Sequence, residues 1–437
     1  MTTPLRAGRL SALRLRPLAA CLAATIATAA PGDSTAQLAS VNQAASIVVV
    51  QNCNDSGPGS LRAAYANAVD NATIDLTQLV CSRITLGSAL VDPIAAANVT
   101  LLGPGKDLLA IDGDALYQVI VHRGNGGLHV DHLTIVNGHH TGARGGCIYS
   151  AGGVEATGTV VSSCVLDTTE YTARGGAIYA KDAVSLFDST ISDNSAKAVQ
   201  DMGSLGGGIY SSEIVVLRST ISGSSAARGG GIFAAGLVYI QDSTLSGNHA
   251  TYYGGALYAH AGAFHTIKNS TISGNKADFV GGAIYAGSAN IYNCTIAYNT
   301  TASRLTSGGG LRLTGPSILQ SSIIAKNTSG SGLVEDDVFA YDVVTASNNL
   351  IMASDGPVTG GSISVDPKLG PLQDNGGPTR THALLPDSPA IGRGNNVFRL
   401  GNDQRGAPFD RVDGGSADIG AFEFGDTVFR DGVEPPA

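Results

Sequence analysis

The sequence predicts an all-β fold: a right-handed parallel β-helix, a solenoid with a short N-terminal capping helix and an irregular C-terminal cap. Three observations predict it. A diglycine leading into a short apolar strand returns at Gly175–Tyr179, Gly254–Tyr258 and Gly281–Tyr285, with looser copies beginning at Gly145, Gly207, Gly230 and Gly309. A second phrase, Ser-Thr-aliphatic-x-x-Asn, returns at Ser189–Asn194, Ser243–Asn248 and Ser270–Asn275, with degenerate copies ending at Asn299 and Asn327. The two alternate with a spacing of about 23 to 32 residues, the period range of solenoids. Within each unit apolar residues alternate with period two, as in Val184-Ser185-Leu186, Val215-Val216-Leu217 and Val238-Tyr239-Ile240, the signature of strand rather than helix.

A unit of this kind offers about three short strands joined by Gly, Ser and Asn corners, where positive φ is tolerated. One strand of each unit pairs with its counterpart in the next, so parallel sheets wind into a coil. The 58 glycines and the absence of Trp among 437 residues suit a narrow core of this type. A solenoid has no size limit set by a single core, so one long domain accounts for the chain length. The formal net charge of −9 supplies no basic face, and no nucleic-acid partner is expected.

Residues 1–36 read as an export signal. Arg6, Arg9, Arg14 and Arg16 precede an apolar run from Leu18 to Ala30, and small-residue cleavage points follow at Ala27-Thr28-Ala29 and Ser34-Thr35-Ala36. That run is too short to span a bilayer and no later stretch is longer, so no transmembrane segment is expected. Leu18-Ala19-Ala20-Cys21 resembles a lipoprotein box, but most of the apolar run follows the cysteine instead of preceding it. Removing the signal leaves five cysteines. In an oxidising compartment Cys53 and Cys81 are the expected disulfide, and Cys147 with Cys164 is a candidate second. Cys294 takes the slot filled elsewhere by Ser189, Ser219, Ser243, Ser270 and Ser322, two residues before a buried aliphatic, and is expected to be a buried, unreactive thiol.

Residues 37–361 form the expected β-helix. Ile47–Val50 is a plausible first strand, and Asn54–Gly59 a turn. Ser60 N-caps a helix from Leu61 to Val69 that plugs the raw sheet edges at the N-terminal end. Less regular coils follow, marked by Ile74-Asp75-Leu76, Ile84-Thr85-Leu86, Val99-Thr100-Leu101, Val119-Ile120-Val121 and Leu133-Thr134-Ile135. The insertion Ala196–Leu205 is expected to protrude as a loop. Residues 328–361 read as a final coil with an acidic loop at Glu335, Asp336 and Asp337. Residues 362–424 change character: dense Pro and Gly argue against regular strands and for a compact cap. An ion pair of Arg405 with Asp418 or Glu423 is expected to close it, and residues 425–437 form a tail.

The C-terminal block, with Asp366–Leu372, Asp374–Thr379, Ser388–Gly392, Asp403–Gly406 and Asp418–Glu423, resembles the choice-of-anchor domains of bacterial surface β-helix proteins. The glycine phrase with its Asn partner is similar to the repeats of chlamydial polymorphic membrane proteins, which are adhesins. In that family the second motif begins with Phe, where Ile191, Leu245, Ile272, Ile296 and Ile324 stand here. Those adhesins also carry a C-terminal outer-membrane barrel, and no matching set of alternating strands follows residue 330. Together the resemblances imply a secreted or surface-exposed bacterial protein, exported to the cell surface or beyond it.

No strong catalytic signature is present, and no catalytic residue and no metal site are assigned. Val130-Asp131-His132 is similar to a short strand motif of pectate lyases, yet neighbouring coils carry Thr, Ser and Tyr in place of stacked Asp, so Asp131 and His132 are read as ordinary strand and turn residues. His139-His140 reads as a loop pair without ligands nearby, and Asp336-Asp337 as solvated loop charge. No cofactor is expected; a structural calcium ion is entertained only at Asp410, Asp413, Asp418 and Glu423, which lack the spacing of a calcium loop. Stacked Asn194, Asn248, Asn275, Asn299 and Asn327 are expected to bond from coil to coil. The candidate binding residues are an aromatic column: Tyr149, Tyr179, Tyr210, Phe233, Tyr258 and Tyr285, with Arg312 in the same slot of a later coil. A slot that accepts Arg points outward, giving an external stripe suited to stack on sugar rings or protein side chains, or else a packing ladder sheltered by loops. The function class expected is a non-enzymatic, adhesin-like binding scaffold for carbohydrate or a surface protein. The alternative is a lyase or hydrolase of extracellular polysaccharide, by analogy of fold.

Overall fold

The computed structural model describes residues 46–303, 307–330, 332, 334–413 and 415–425. The expected signal peptide and nearly all of the expected tail lie outside the described residues. The chain winds into a parallel β-solenoid of about eleven turns. Each regular coil contributes three strands to one 32-stranded sheet and a short fourth strand to a second sheet of 11 strands. One coil runs Ile178–Ala180, Ala183–Phe187, Thr190–Ser192 and Ser195–Lys197. Its register with the next is strict: Ile178 pairs with Ile209, Val184 with Ile214, Ile191 with Ile221 and Ser195 with Ser225, all parallel. The fourth strand is the one the sequence does not announce, being two to five residues long and largely polar.

The two repeated phrases encode the bends. A left-handed residue precedes each Ser-Thr-aliphatic triplet (Asp188, Arg218, Asp242, Asn269, Asn293, Ser321), and a second follows it (Asp193, Gly223, Gly247, Gly274, Tyr298, Lys326). Between them the serine and the aliphatic point inward and the threonine outward, so Ile191, Leu245, Ile272 and Ile296 are fully buried. The diglycine makes the third bend. Gly175 has φ +72°, and a Cβ on Gly176 would lie 2.0 Å from the carbonyl oxygen of Gly207 in the next coil. The first glycine is therefore needed for its conformation and the second for the close approach.

Tight bends leave backbone N–H groups facing the core, and the inward Ser and Asn columns satisfy them. The N–H groups of Ser189, Ser219 and Ser243 donate to Ser219 Oγ, Ser243 Oγ and Ser270 Oγ at 3.0–3.1 Å. In the second column Asn248, Asn275 and Asn299 each donate both backbone N–H and side-chain Nδ2 to Oδ1 of the next asparagine, at 2.8–3.0 Å. The expected coil-to-coil role of these asparagines is what the structure shows. Its last member is a surprise. Asp337 is fully buried, and its Oδ1 accepts from the N–H and Nδ2 of Asn327 at 2.9 and 2.8 Å, while Oδ2 accepts from the Ala353 N–H. The expectation of a solvated loop charge fails for Asp337, because the ladder's terminal amide requires an acceptor. Asp336 remains half-buried and accepts from Ser307 Oγ at 2.8 Å.

At the N-terminal end the helix Leu61–Ala66 is capped by Ser60, whose Oγ accepts from the Ala63 N–H, and it buries Leu61, Ala64 and Tyr65 in the main core. Disulfides join Cys53 to Cys81 and Cys147 to Cys164, and Cys294 is a free, buried thiol. Burial pushes that thiol up to about 12, and its Sγ donates to the Tyr292 carbonyl at 3.2 Å.

The irregular C-terminal cap is lateral. Beyond the last rung, Val358–Ile363, the chain folds back along the outer face of the third strands. Thr244 Oγ1 donates to the Arg380 carbonyl at 2.6 Å, Thr271 Oγ1 to Gln404 Oε1 at 2.6 Å, and the Ala421 N–H donates to Thr295 Oγ1 at 3.1 Å. Ser273 Oγ bonds His382 Nε2 at 2.8 Å. Ile323, Ala325 and Leu350 pack against Leu384, Ala390, Ile419 and Phe422 in a second core. Despite its Pro and Gly content the segment contains one hairpin, Leu369–Gln373 with Thr381–Leu384. The expected ion pair is also corrected: Arg405 bonds Asp403 at 2.6 Å and reaches only the backbone carbonyl of Glu423. Its guanidinium lies 3.8 Å from the ring centroids of both Phe409 and Phe422, and Asp403 is two residues away on the same turn. The expected loop Ala196–Leu205 protrudes only in its middle, since Ser195–Lys197 and Ser204–Leu205 are strands of the second sheet.

Replacing Asn275 with Leu leaves the Asn248 N–H and one Nδ2 hydrogen of Asn248 without their acceptor inside the core, and removes the Nδ2 bond to the Leu245 carbonyl. Each orphan costs about 1–3 kcal/mol. Urea unfolding is expected to show N275L destabilised by about 3 kcal/mol or more, while the exposed Lys181→Ala stays within about 0.5 kcal/mol of the parent.

Candidate functional site

The aromatic column is an ordered feature of the outer surface that spans six successive coils. Tyr149, Tyr179, Tyr210, Phe233, Tyr258 and Tyr285 follow buried aliphatics (Ile148, Ile178, Ile209, Ile232, Leu257, Ile284), so strand alternation turns them outward. Register places them directly above one another. Successive ring centroids are 4.8–5.5 Å apart with interplanar angles of 4–10°. Arg312 continues the column, lying 4.4 Å from the Phe339 centroid and 4.7 Å from that of Tyr341.

The stripe is roofed. The residues just before each diglycine form a parallel column of their own, and its members lean over the rings. Arg144 lies 5.1 Å from the Tyr179 centroid and Arg174 5.5 Å from that of Tyr210. Further along, Tyr253 packs against both Tyr258 and Tyr285, at 6.3 and 5.3 Å. Tyr179 and Phe233 retain only 7% and 6% exposure, and the other four rings are half-buried. Cation–π contacts of this kind contribute about 0.5–1 kcal/mol each near a surface. The ladder thus has a stacking role within the wall and offers ring edges, more than ring faces, to a partner.

The remaining candidates are placed plainly. Val130 is core, Asp131 is half-buried on the outer face, and His132 is a left-handed bend residue. His139-His140 is a short strand of the second sheet paired with Val165 and Leu166, correcting the loop reading; burial, then the neighbouring His139, lowers the His140 pKa. Of the carboxylates considered for calcium, Asp410 and Asp413 are exposed, and Asp418 and Glu423 are turned onto backbone. Glu423 Oε1 and Oε2 accept from the Asp413 and Asp418 N–H groups, and Asp418 accepts from Gly392 and Phe424. Among the described residues no group of three or more His, Cys, Asp and Glu is arranged to hold a metal.

Sequence reading missed a cluster on the early coils. His129 faces Glu155 in register, their side chains 3.5 Å apart, and Asp131 lies on the same outer face. Burial raises the Asp131 pKa, with Glu155 adding to the rise and His129 opposing it. Aligning Gly127-Leu128-His129-Val130-Asp131 with Gly153-Val154-Glu155-Ala156-Thr157 as consecutive rungs is the signal that would have found it.

Residues 242–260 and 269–287 match the Chlamydia polymorphic membrane protein repeat. Each match begins at the bend before a Ser-Thr-aliphatic triplet, passes through the inward asparagine and ends beyond the Tyr258 or Tyr285 rung, so one matched unit covers a coil except for its middle wall strand. No curated protein and no solved structure matches the chain. The class defined is a parallel β-solenoid carrying repeats of that type. No helix among the described residues is long and apolar enough to cross a membrane.

Burial raises Asp337 to about 6 and Glu423 to about 7. Both folded-state values lie above the unfolded ones, so the folded chain binds more protons between roughly pH 4 and 7, and stability rises as pH falls through that window. His140, His265 and His382 are shifted down by burial and oppose this below about pH 6.5. The Asp337→Asn/Glu423→Gln double variant is expected to lose most of the stability gained by the parent between pH 8 and 5, read as melting temperature against pH.

Proposed function

We propose that the protein is a non-enzymatic, adhesin-like binding scaffold exported to the bacterial surface or medium, presenting its solenoid wall to a carbohydrate or protein partner. The observation that carries this reading is the repeat match falling on two consecutive coils of an unbroken solenoid. The core is filled along its length, so recognition belongs to the outer wall. Two disulfides support an oxidising compartment. The signal-like residues 1–36 and the resemblance of residues 362–424 to choice-of-anchor domains support export and surface placement. A lateral segment bonded to five successive coils is also suited to stiffen the rod that carries the binding wall.

A polysaccharide lyase or hydrolase is the second reading, favoured by Asp131 and Glu155 beside His129 on one open face. A carboxyl whose pKa is raised by burial, as at Asp131, suits the role of a general acid. Against it, His129 and Glu155 are more than a third exposed and sit on a wall without an enclosing cleft.

The test is to incubate the purified chain, residues 37–437, with bacterial and host cell surfaces and, separately, with uronate and neutral polysaccharides. Saturable surface binding without release of unsaturated or reducing ends is expected. Turnover that disappears in D131N and E155Q overturns the scaffold reading.

A further inference from the structure

Coil length varies mostly on one side of the solenoid. Thirty-one residues separate Gly175 from Gly206, but 23 separate Gly206 from Gly229 and 25 separate Gly229 from Gly254. From the leading glycine to the inward Asn194, Ser224 or Asn248 these three coils measure 19, 18 and 19 residues, so nearly all of the difference falls in the arc of the second sheet. There Ser195 to Leu205 is followed by a coil that covers the same arc from Ser225 to Arg228. A short coil between longer ones leaves a notch, a cavity of about 660 Å³. Its floor is Ala226 and Ala227, one wall is the insertion with Asp201 and Ser204, and the other carries His249 and Tyr252. The volume is within the range of small-ligand sites, about 300–1,000 Å³.

The chemistry of the notch narrows the ligand. Backbone is spoken for: Ser225 pairs with Ser195 and His249, Arg228 with Leu205 and Tyr253, and the Ala227 N–H donates to Ser204 Oγ at 2.8 Å. An extended peptide therefore finds no free strand edge on which to add. The floor is small and apolar, continuous with the satellite cluster of Leu166, Ala173, Ala196 and Ala226. Tyr252 supplies a half-buried ring on the wall, backed by Tyr253 at 6.1 Å. His249 is held by Asp278, Nε2 to Oδ2 at 3.0 Å, which leaves Nδ1 as its remaining polar atom. Exposed Lys197, Asp201 and Thr251 add one cation, one anion and a hydroxyl at the rim, so the site carries no net excess of either charge. An aromatic wall, a shallow apolar floor and a rim of mixed, uncrowded polar groups complement a molecule with an apolar ring face and a hydroxylated edge.

We propose that this notch binds a short neutral oligosaccharide, with Tyr252 stacking on one ring and His249, Asp201 and Thr251 bonding its hydroxyls. The proposal rests on the binding-scaffold reading and assigns it a site. A panel of neutral gluco-, manno-, galacto- and N-acetylglucosamine oligosaccharides is titrated into the full exported chain by calorimetry, with cell-surface binding measured in parallel. At least one member is expected to bind with Kd below about 1 mM, weakening tenfold or more in Y252A. The rim substitution Thr251→Trp, at an exposed position, is expected to block binding while leaving the melting temperature unchanged. No binding by any member, or binding that neither variant weakens, overturns the site. If the parent chain adheres to cells under those same outcomes, the scaffold reading survives without it; absence of adhesion removes that reading.

Discussion

Everything in this molecule depends on how a coil disposes of the N–H groups that its bends turn inward. A solenoid of this width turns three times per coil through left-handed residues, and each turn breaks the ladder that would otherwise pair every backbone group. Buried unpaired amides cost more than most side-chain contacts return, so the bends are feasible only if something inside accepts those bonds. Serine does so at one bend and asparagine at the next, each reaching the coil before it. At the third bend glycine brings the two backbones close enough to bond each other directly, as Gly176 N–H does to the Gly206 carbonyl at 2.9 Å. Because each inward side chain serves a neighbour's backbone, coils are stable only in sequence. That is the physical content of the repeat.

The same constraint moves function outward. With inner positions taken by aliphatics and by the two polar columns, only residues that face out are free to vary, and the wall uses them in different ways. The tyrosine column packs upon itself beneath a roof of arginine and tyrosine. The Thr and Ser of the third strands form a lattice of hydroxyls, of which the later rungs bind the returning C-terminal segment through Thr244, Thr271, Ser273 and Thr295. Earlier rungs of that lattice, Thr190, Ser192, Thr220 and Ser222, remain half-exposed beside Asp374 and Arg380.

How much of this was legible follows from the range of the interactions involved. Strand alternation fixed which residues face inward, so Ser189, Asn194, Ile191 and the outward Tyr179 were readable from their neighbours alone. The Cys53–Cys81 pairing was readable because both lie in the first coils. Asp337 was not, since its role is to accept the last bonds of a ladder whose period had already faded. The lateral course of the C-terminal segment was hidden for a different reason. Contacts such as Thr244 with Gln404 join residues 160 apart, and neither partner carries a local mark of the other. His129 and Glu155 fall between: each is an unremarkable outward residue until the rungs are aligned.

Coil length is the remaining freedom, and its location is dictated by the ladders. Insertion between the diglycine and the asparagine is taken up at the bend between the first two wall strands, as where the register shifts between Ala259 and Phe264, and there the Ser and Asn columns stay aligned. Insertion between the asparagine and the next diglycine disturbs only the short second-sheet strand, whose pairing is one to three residues per rung. Loops such as 168–172 and 198–203 therefore gather on one side, beside the column that roofs the tyrosines. A wall that varies little thus carries an edge that varies more, and differences in length between neighbouring coils become notches and ridges held on a rigid frame. In the binding scaffold proposed above, recognition is written in the lengths of these arcs, with the repeat itself serving to hold them in line.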